Sequence, residues 1–63
     1  NIPQAQNEII KLATELGGSK NADVKAATID LLGEANPKNC KDENLLKASL
    51  KKLNELKSKK GDK

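Results

Sequence analysis

The sequence predicts an all-α protein, a small up-down-up bundle of three helices. Apolar residues recur at the i, i+3, i+4 and i+7 spacing of one helix face in three separate stretches. Gly17-Gly18 and Asn36-Pro37 separate these stretches, since glycine favours helix ends and proline prevents a helix from continuing. The chain has 63 residues, which is enough for one domain, so we expect residues 1–63 to form a single helical domain.

The first helix is expected from about residue 3 to residue 16. Pro3 suits the first turn of a helix, where its missing N–H costs no hydrogen bond. Ile9 and Leu12 follow helical spacing after it. Gly17 then supplies a residue that can adopt positive φ at the end of the helix.

The second helix is expected over residues 22–35. Either Ser19 or Asn21 can cap its first N–H groups, and Asp23 complements the helix dipole in the first turn. Its apolar stripe consists of Val24, Ala27, Leu31 and Ala35, widened by Thr28, Ile29 and Leu32. The neighbouring β-branched residues do not alternate with polar ones, so the pattern is not that of a strand.

The third helix, expected over residues 42–60, has the strongest pattern of the three. It begins after Asn39 or Cys40, with the acidic residues Asp42 and Glu43 in its first turn. Its apolar stripe consists of Leu46, Leu50, Leu53 and Leu56. Lysines accumulate toward its C-terminal end, which is the favourable end for cations.

The composition argues against enzymatic activity. The sequence contains no His, which removes the usual acid/base residue near pH 7 and the commonest neutral metal ligand. It contains no aromatic residue for stacking on bases, and no Arg for bidentate phosphate or guanine recognition. We therefore expect a non-enzymatic protein with no cofactor and no metal.

Cys40 is the single cysteine, so no internal disulfide can form. Lys38 and Lys41 lie beside it in the sequence, but catalysis by a thiol would need a base and the chain supplies no His for that role. A zinc site is excluded because it needs more Cys or His ligands. Cys40 remains a candidate for an intermolecular disulfide between two copies of the chain, with an inert thiol as the alternative.

We expect a protein-interaction module or a small secreted effector that presents a helical surface to another protein. Ile10 and Ile29 lie at the edges of their apolar stripes, which makes them candidates for exposed apolar anchors. Lys51 and Lys52 are candidate basic contacts on the third helix. The start at Asn1 rather than Met suits either a mature secreted protein or a domain cut from a larger protein, and the expectation leans toward a secreted protein.

Two other functions remain open. The formal net charge is +3, and from residue 38 onward nine lysines face four acidic residues. A Lys-rich third helix can bind nucleic acid or an anionic membrane, with an affinity that falls as salt rises. A self-associating structural element, with Cys40 bridging a homodimer, is the other alternative.

Overall fold

The computed structural model describes the backbone of residues 1–61 and the side chains of residues 1–59. Within these ranges the chain is all-helical, with three helices and no strand, so the predicted all-α class is confirmed. The helices are α1 over Ile2–Glu15, α2 over residues 22–32 and α3 over Glu43–Gly61. Short 3-10 turns at Gly18–Lys20 and Pro37–Asn39 lie in the two connections.

Asparagine and aspartate side chains cap the helices. In α1 the Asn1 side chain accepts a hydrogen bond from the N–H of Gln4 at 3.2 Å. Asn21, not Ser19, caps α2 by accepting from the N–H of Asp23 at 2.9 Å. Asp42 lies one residue before α3 and accepts from the N–H groups of residues 44 and 45, so it is the cap of this helix.

Glycines with positive φ end the first two helices. Gly17 has φ of 109° just after α1, as predicted. Gly33 has φ of 73°, and α2 ends before it at residue 32, three residues short of the expected end at 35. A left-handed residue cannot continue the helix, so Ala35 lies in the following connection, where it is exposed.

The middle of α2 is a π-helical turn. The helix begins as an α-helix over Ala22–Lys25, widens over Ala26–Asp30, and returns to α-helical geometry for residues 31 and 32. A π turn holds one extra residue, which rotates everything after it by roughly 100° about the helix axis. Leu32 is therefore buried in the core, while Leu31, expected in the stripe, is half-buried.

All three helices contribute to one hydrophobic core. Its buried members are Ile9, Leu16, Val24, Ala27, Leu32, Cys40, Leu46 and Leu53. Full burial of a large aliphatic side chain contributes about 1.5–3 kcal/mol. Because a core this small contains no aromatic residue, the stability of the fold depends on each of its aliphatic side chains.

Three buried polar side chains each donate a hydrogen bond to the backbone. Ser49 of α3 is 0% exposed, and its hydroxyl donates to the Ala27 carbonyl in the π turn at 2.6 Å. The Thr28 hydroxyl donates to the Val24 carbonyl at 2.8 Å. Gln6 of α1 donates through Nε2 to two carbonyls of the second connection, and every buried polar side chain in the described range is satisfied.

Replacing Ser49 with Ala should destabilise the protein by about 1–3 kcal/mol, because the buried Ala27 carbonyl would lose its side-chain donor. Urea denaturation followed by circular dichroism measures this change in unfolding free energy. Ser58→Ala on the exposed face of α3 is the matched control and should leave stability unchanged within about 0.5 kcal/mol. Equal effects of the two substitutions would contradict a stabilising role for the buried bond.

Candidate functional site

The structure brings two of the predicted site residues, Ile10 and Ile29, together on one shallow groove. Ile10 comes from α1 and Ile29 from α2, and both side chains are half-buried. The groove has a volume of about 170 Å³. Its apolar lining consists of Ile10, Ala13, Val24, Ile29, Ala35 and Pro37, with small residues between them. We refer to it below as the α1–α2 groove.

Core packing and the π turn together position the groove. Ile10 follows the fully buried Ile9, so the packing of α1 fixes its orientation. Ile29 lies within the π turn. Because a π turn is wider than an α-helical turn, Ile29 lies closer to the core-facing side of α2 than it would in a regular α-helix. Thr28, which also lines the groove, already donates its hydroxyl hydrogen to the Val24 carbonyl.

The chemistry of the α1–α2 groove is that of an apolar contact surface. No Asp, Glu, Lys or Cys belongs to its lining, so it offers no group for proton transfer or nucleophilic attack. Sites for small molecules and cofactors usually have volumes of about 300–1,000 Å³, well above the volume here. The groove therefore suits one or two aliphatic side chains better than a cofactor.

The structure places the predicted basic contacts elsewhere. Lys51 and Lys52 are both exposed on α3, which contributes no residue to the α1–α2 groove. Lys52 lines a second groove between α2 and α3, together with Asp23 and Leu56. The four predicted contact residues thus belong to two separate surfaces.

Cys40 is buried with only 5% of its surface exposed, and it is a member of the core. Its carbonyl accepts a hydrogen bond of 2.6 Å from Gln6 Nε2, which holds the connection against α1. A bridge between two copies would therefore require this connection to open first. The intermolecular disulfide stays a prediction that the burial of the thiol does not favour.

Metal-ligating clusters and membrane-spanning helices are two further features to consider in the described residues. Within them, no three His, Cys, Asp or Glu side chains are grouped closely enough to hold a metal ion. Nor does any helix in the described range combine the length and the apolar character needed to cross a membrane.

Sequence reasoning missed the part of the groove that the second connection supplies. Ala35 and Pro37 line the groove from this connection, although Ala35 was expected in the stripe of the second helix and Pro37 only as the residue that stops it. One signal was present: Gln6 lies four residues after Ile2 and three before Ile9, on the apolar face of α1. A polar residue at such a position indicates a buried hydrogen bond to a neighbouring segment.

Comparison with protein-family models, with curated protein sequences and with solved structures finds no match to this chain.

Replacing Gln6 with Ala should speed the reaction of the Cys40 thiol with Ellman's reagent, because the connection loses two hydrogen bonds to α1. We expect a rate increase of about tenfold, the effect of losing roughly 1.4 kcal/mol of local stability. Gln4→Ala, at an exposed position of α1, is the matched control and should not change the rate. Unchanged labelling in the Gln6 variant would show that Gln6 does not hold the connection closed.

Proposed function

We propose that this protein is a non-enzymatic protein-interaction module whose α1–α2 groove accepts one or two aliphatic side chains of a protein partner. The observation that carries the proposal is the pairing of Ile10 and Ile29 on a groove without ionisable groups. Two half-exposed β-branched residues on different helices offer a fixed apolar contact, since their side chains have few rotamers to lose.

We further propose that the three helices form an up-down-up bundle. Residues 16–21 connect α1 to α2, and residues 33–42 connect α2 to α3. The six-residue first connection favours an antiparallel arrangement of α1 and α2, and the shared core requires each helix to turn its apolar face inward. This arrangement leaves the α1–α2 groove accessible from outside the bundle.

The location of the π turn supports a functional role for the groove. Single π turns inside α-helices occur frequently at functional sites. Here the turn spans Ala26–Asp30 and contributes Thr28 and Ile29 to the groove lining. The irregular segment of α2 and the apolar contact surface therefore coincide.

Adjacent residues of α1 allow a test of whether Ile10 belongs to a surface or to the core. Ile9→Ala should cost about 2–5 kcal/mol of unfolding free energy, as expected for a fully buried aliphatic residue. Ile10→Ala should cost less than half as much, because its side chain is half-exposed. Urea denaturation measures both changes. Equal losses would place Ile10 in the core and contradict its role as a contact residue.

Selection from a phage-displayed library of random peptides tests binding directly. We expect selected peptides to share an aliphatic position and to lose at least about tenfold in affinity for the Ile10→Ala/Ile29→Ala double variant. Leu45→Ala is the matched control, because Leu45 is an apolar residue on α3 with 36% exposure. Circular dichroism confirms that both variants remain folded.

Two results of the selection would contradict the proposed groove. One is full affinity of the selected peptides for the folded double variant. The other is an equal loss of affinity in the Leu45 variant, which would show that apolar exposure in general, and not the groove, governs binding.

A further inference from the structure

The positive charge of the described protein is concentrated on the solvent face of α3. Four exposed lysines lie on this face with one carboxylate, that of Glu55, among them. They are Lys47, Lys51, Lys52 and Lys59, and we call them the lysine face. In the rest of residues 1–59, six lysines meet seven acidic residues. The excess of cations is therefore a property of one surface and not of the whole molecule.

Helix geometry explains how these lysines come to share a side. At roughly 100° per residue, all four lie within about 140° of arc, opposite the side that carries Leu46 and Leu53. Lys57 lies outside this arc and forms an ion pair with Glu15 of α1 at 3.4 Å. Within the described residues, no ion pair joins any member of the lysine face to a carboxylate.

From this segregation of charge we propose that the lysine face of α3 binds an acidic segment of a partner polypeptide. Unpaired cations on a rigid helix complement carboxylates and raise the rate of association with an acidic partner. The face extends from residue 47 to residue 59, a rise of about 18 Å along the helix, which matches three turns of a partner helix. This proposal does not depend on the α1–α2 groove, to which α3 contributes no residue.

A polypeptide fits this face better than a nucleic acid does. Glu55 lies between Lys51 and Lys59 on the same side of the helix, where it would repel a continuous phosphate backbone. A polypeptide can place a neutral or basic residue opposite that carboxylate. The absence of Arg and aromatic residues from the chain removes the usual contacts to bases.

Apolar residues at the edge of the lysine face also favour a polypeptide. Leu45 is 36% exposed next to it, and the neighbouring α2–α3 groove has Ala26 and Leu56 in its lining beside Lys52 and Lys59. An anionic membrane would need an apolar helix face to insert, but the leucines opposite the lysines are buried in the core. An acidic segment with aliphatic residues can use both the cations and the apolar edge.

The test uses two variants of the full chain with equal net charge. The first replaces the lysine face (Lys47→Gln, Lys51→Gln, Lys52→Gln and Lys59→Gln). The matched control replaces four exposed lysines elsewhere (Lys11→Gln, Lys20→Gln, Lys25→Gln and Lys41→Gln). Fluorescence anisotropy follows binding to a labelled helical peptide of Glu, Leu and Ala, to a DNA duplex, and to phosphatidylglycerol vesicles, at about 150 mM NaCl.

We expect the original chain to bind the acidic peptide more tightly than DNA or vesicles. The lysine-face variant should lose at least about tenfold in affinity for the peptide, and the control variant less than about twofold.

Equal losses in the two variants would show that net charge alone governs binding and would overturn the proposal. No detectable peptide binding, or tighter binding of DNA or vesicles, would overturn it as well. Ile10→Ala/Ile29→Ala should leave peptide binding to this face unchanged, so failure of the groove and failure of the lysine face are distinguishable.

Discussion

The hydrogen bond from Ser49 to the carbonyl of Ala27 is the interaction on which the relation of α2 to α3 depends. Within a π turn, backbone N–H groups bond to carbonyls five residues earlier instead of four. Where the α-helical pattern resumes, one carbonyl is left without a backbone N–H donor. Gly33 already donates to Ile29, four residues earlier, so the ladder has returned by that point. We infer that Ser49, fully buried on α3, supplies the donor that the backbone of α2 does not. This bond stabilises the π turn, and the extra residue of the turn brings Leu32 into the core and Ile29 to the groove.

The buried and the exposed residues of this short chain have different roles. Aliphatic residues supply the core, but without aromatic side chains they specify the relative placement of the helices loosely. Buried hydrogen bonds add that specification: Ser49 fixes α2 against α3, and Gln6 holds the second connection against α1. The two exposed surfaces differ in character. One is the small apolar groove between α1 and α2, and the other is the lysine face of α3. If both proposals hold, the two surfaces would distinguish a partner by apolar fit and by charge independently.

The periodicity of apolar residues predicted the three helices because each of them packs one face against a common core. Local chemistry also predicted the end of α1, since Gly17 adopts positive φ directly after it, but α2 ends at Gly33, before Pro37 can act on it. The π turn could not be predicted this way, because Ser49, which supplies its donor, is 22 residues away in the sequence. For the site, the sequence predicted Ile10 and Ile29 as exposed residues at the edges of their stripes, and the structure has both half-buried. Their shared groove required knowledge of how α1 and α2 pack.

The most direct test of this account is to measure, by solution NMR, the scalar couplings that cross backbone hydrogen bonds in α2. Each coupling identifies the carbonyl that accepts a given amide hydrogen. The π turn predicts that the Ala26 amide couples to the Ala22 carbonyl, that the amides at the C-terminal end of the turn couple to carbonyls five residues earlier, and that the Gly33 amide couples to the Ile29 carbonyl. An unbroken series of couplings to carbonyls four residues earlier, with the Ala27 carbonyl accepting from Leu31, would contradict it. That result would contradict the inference that the Ser49 hydrogen bond stabilises the π turn and, through it, positions Ile29 at the groove.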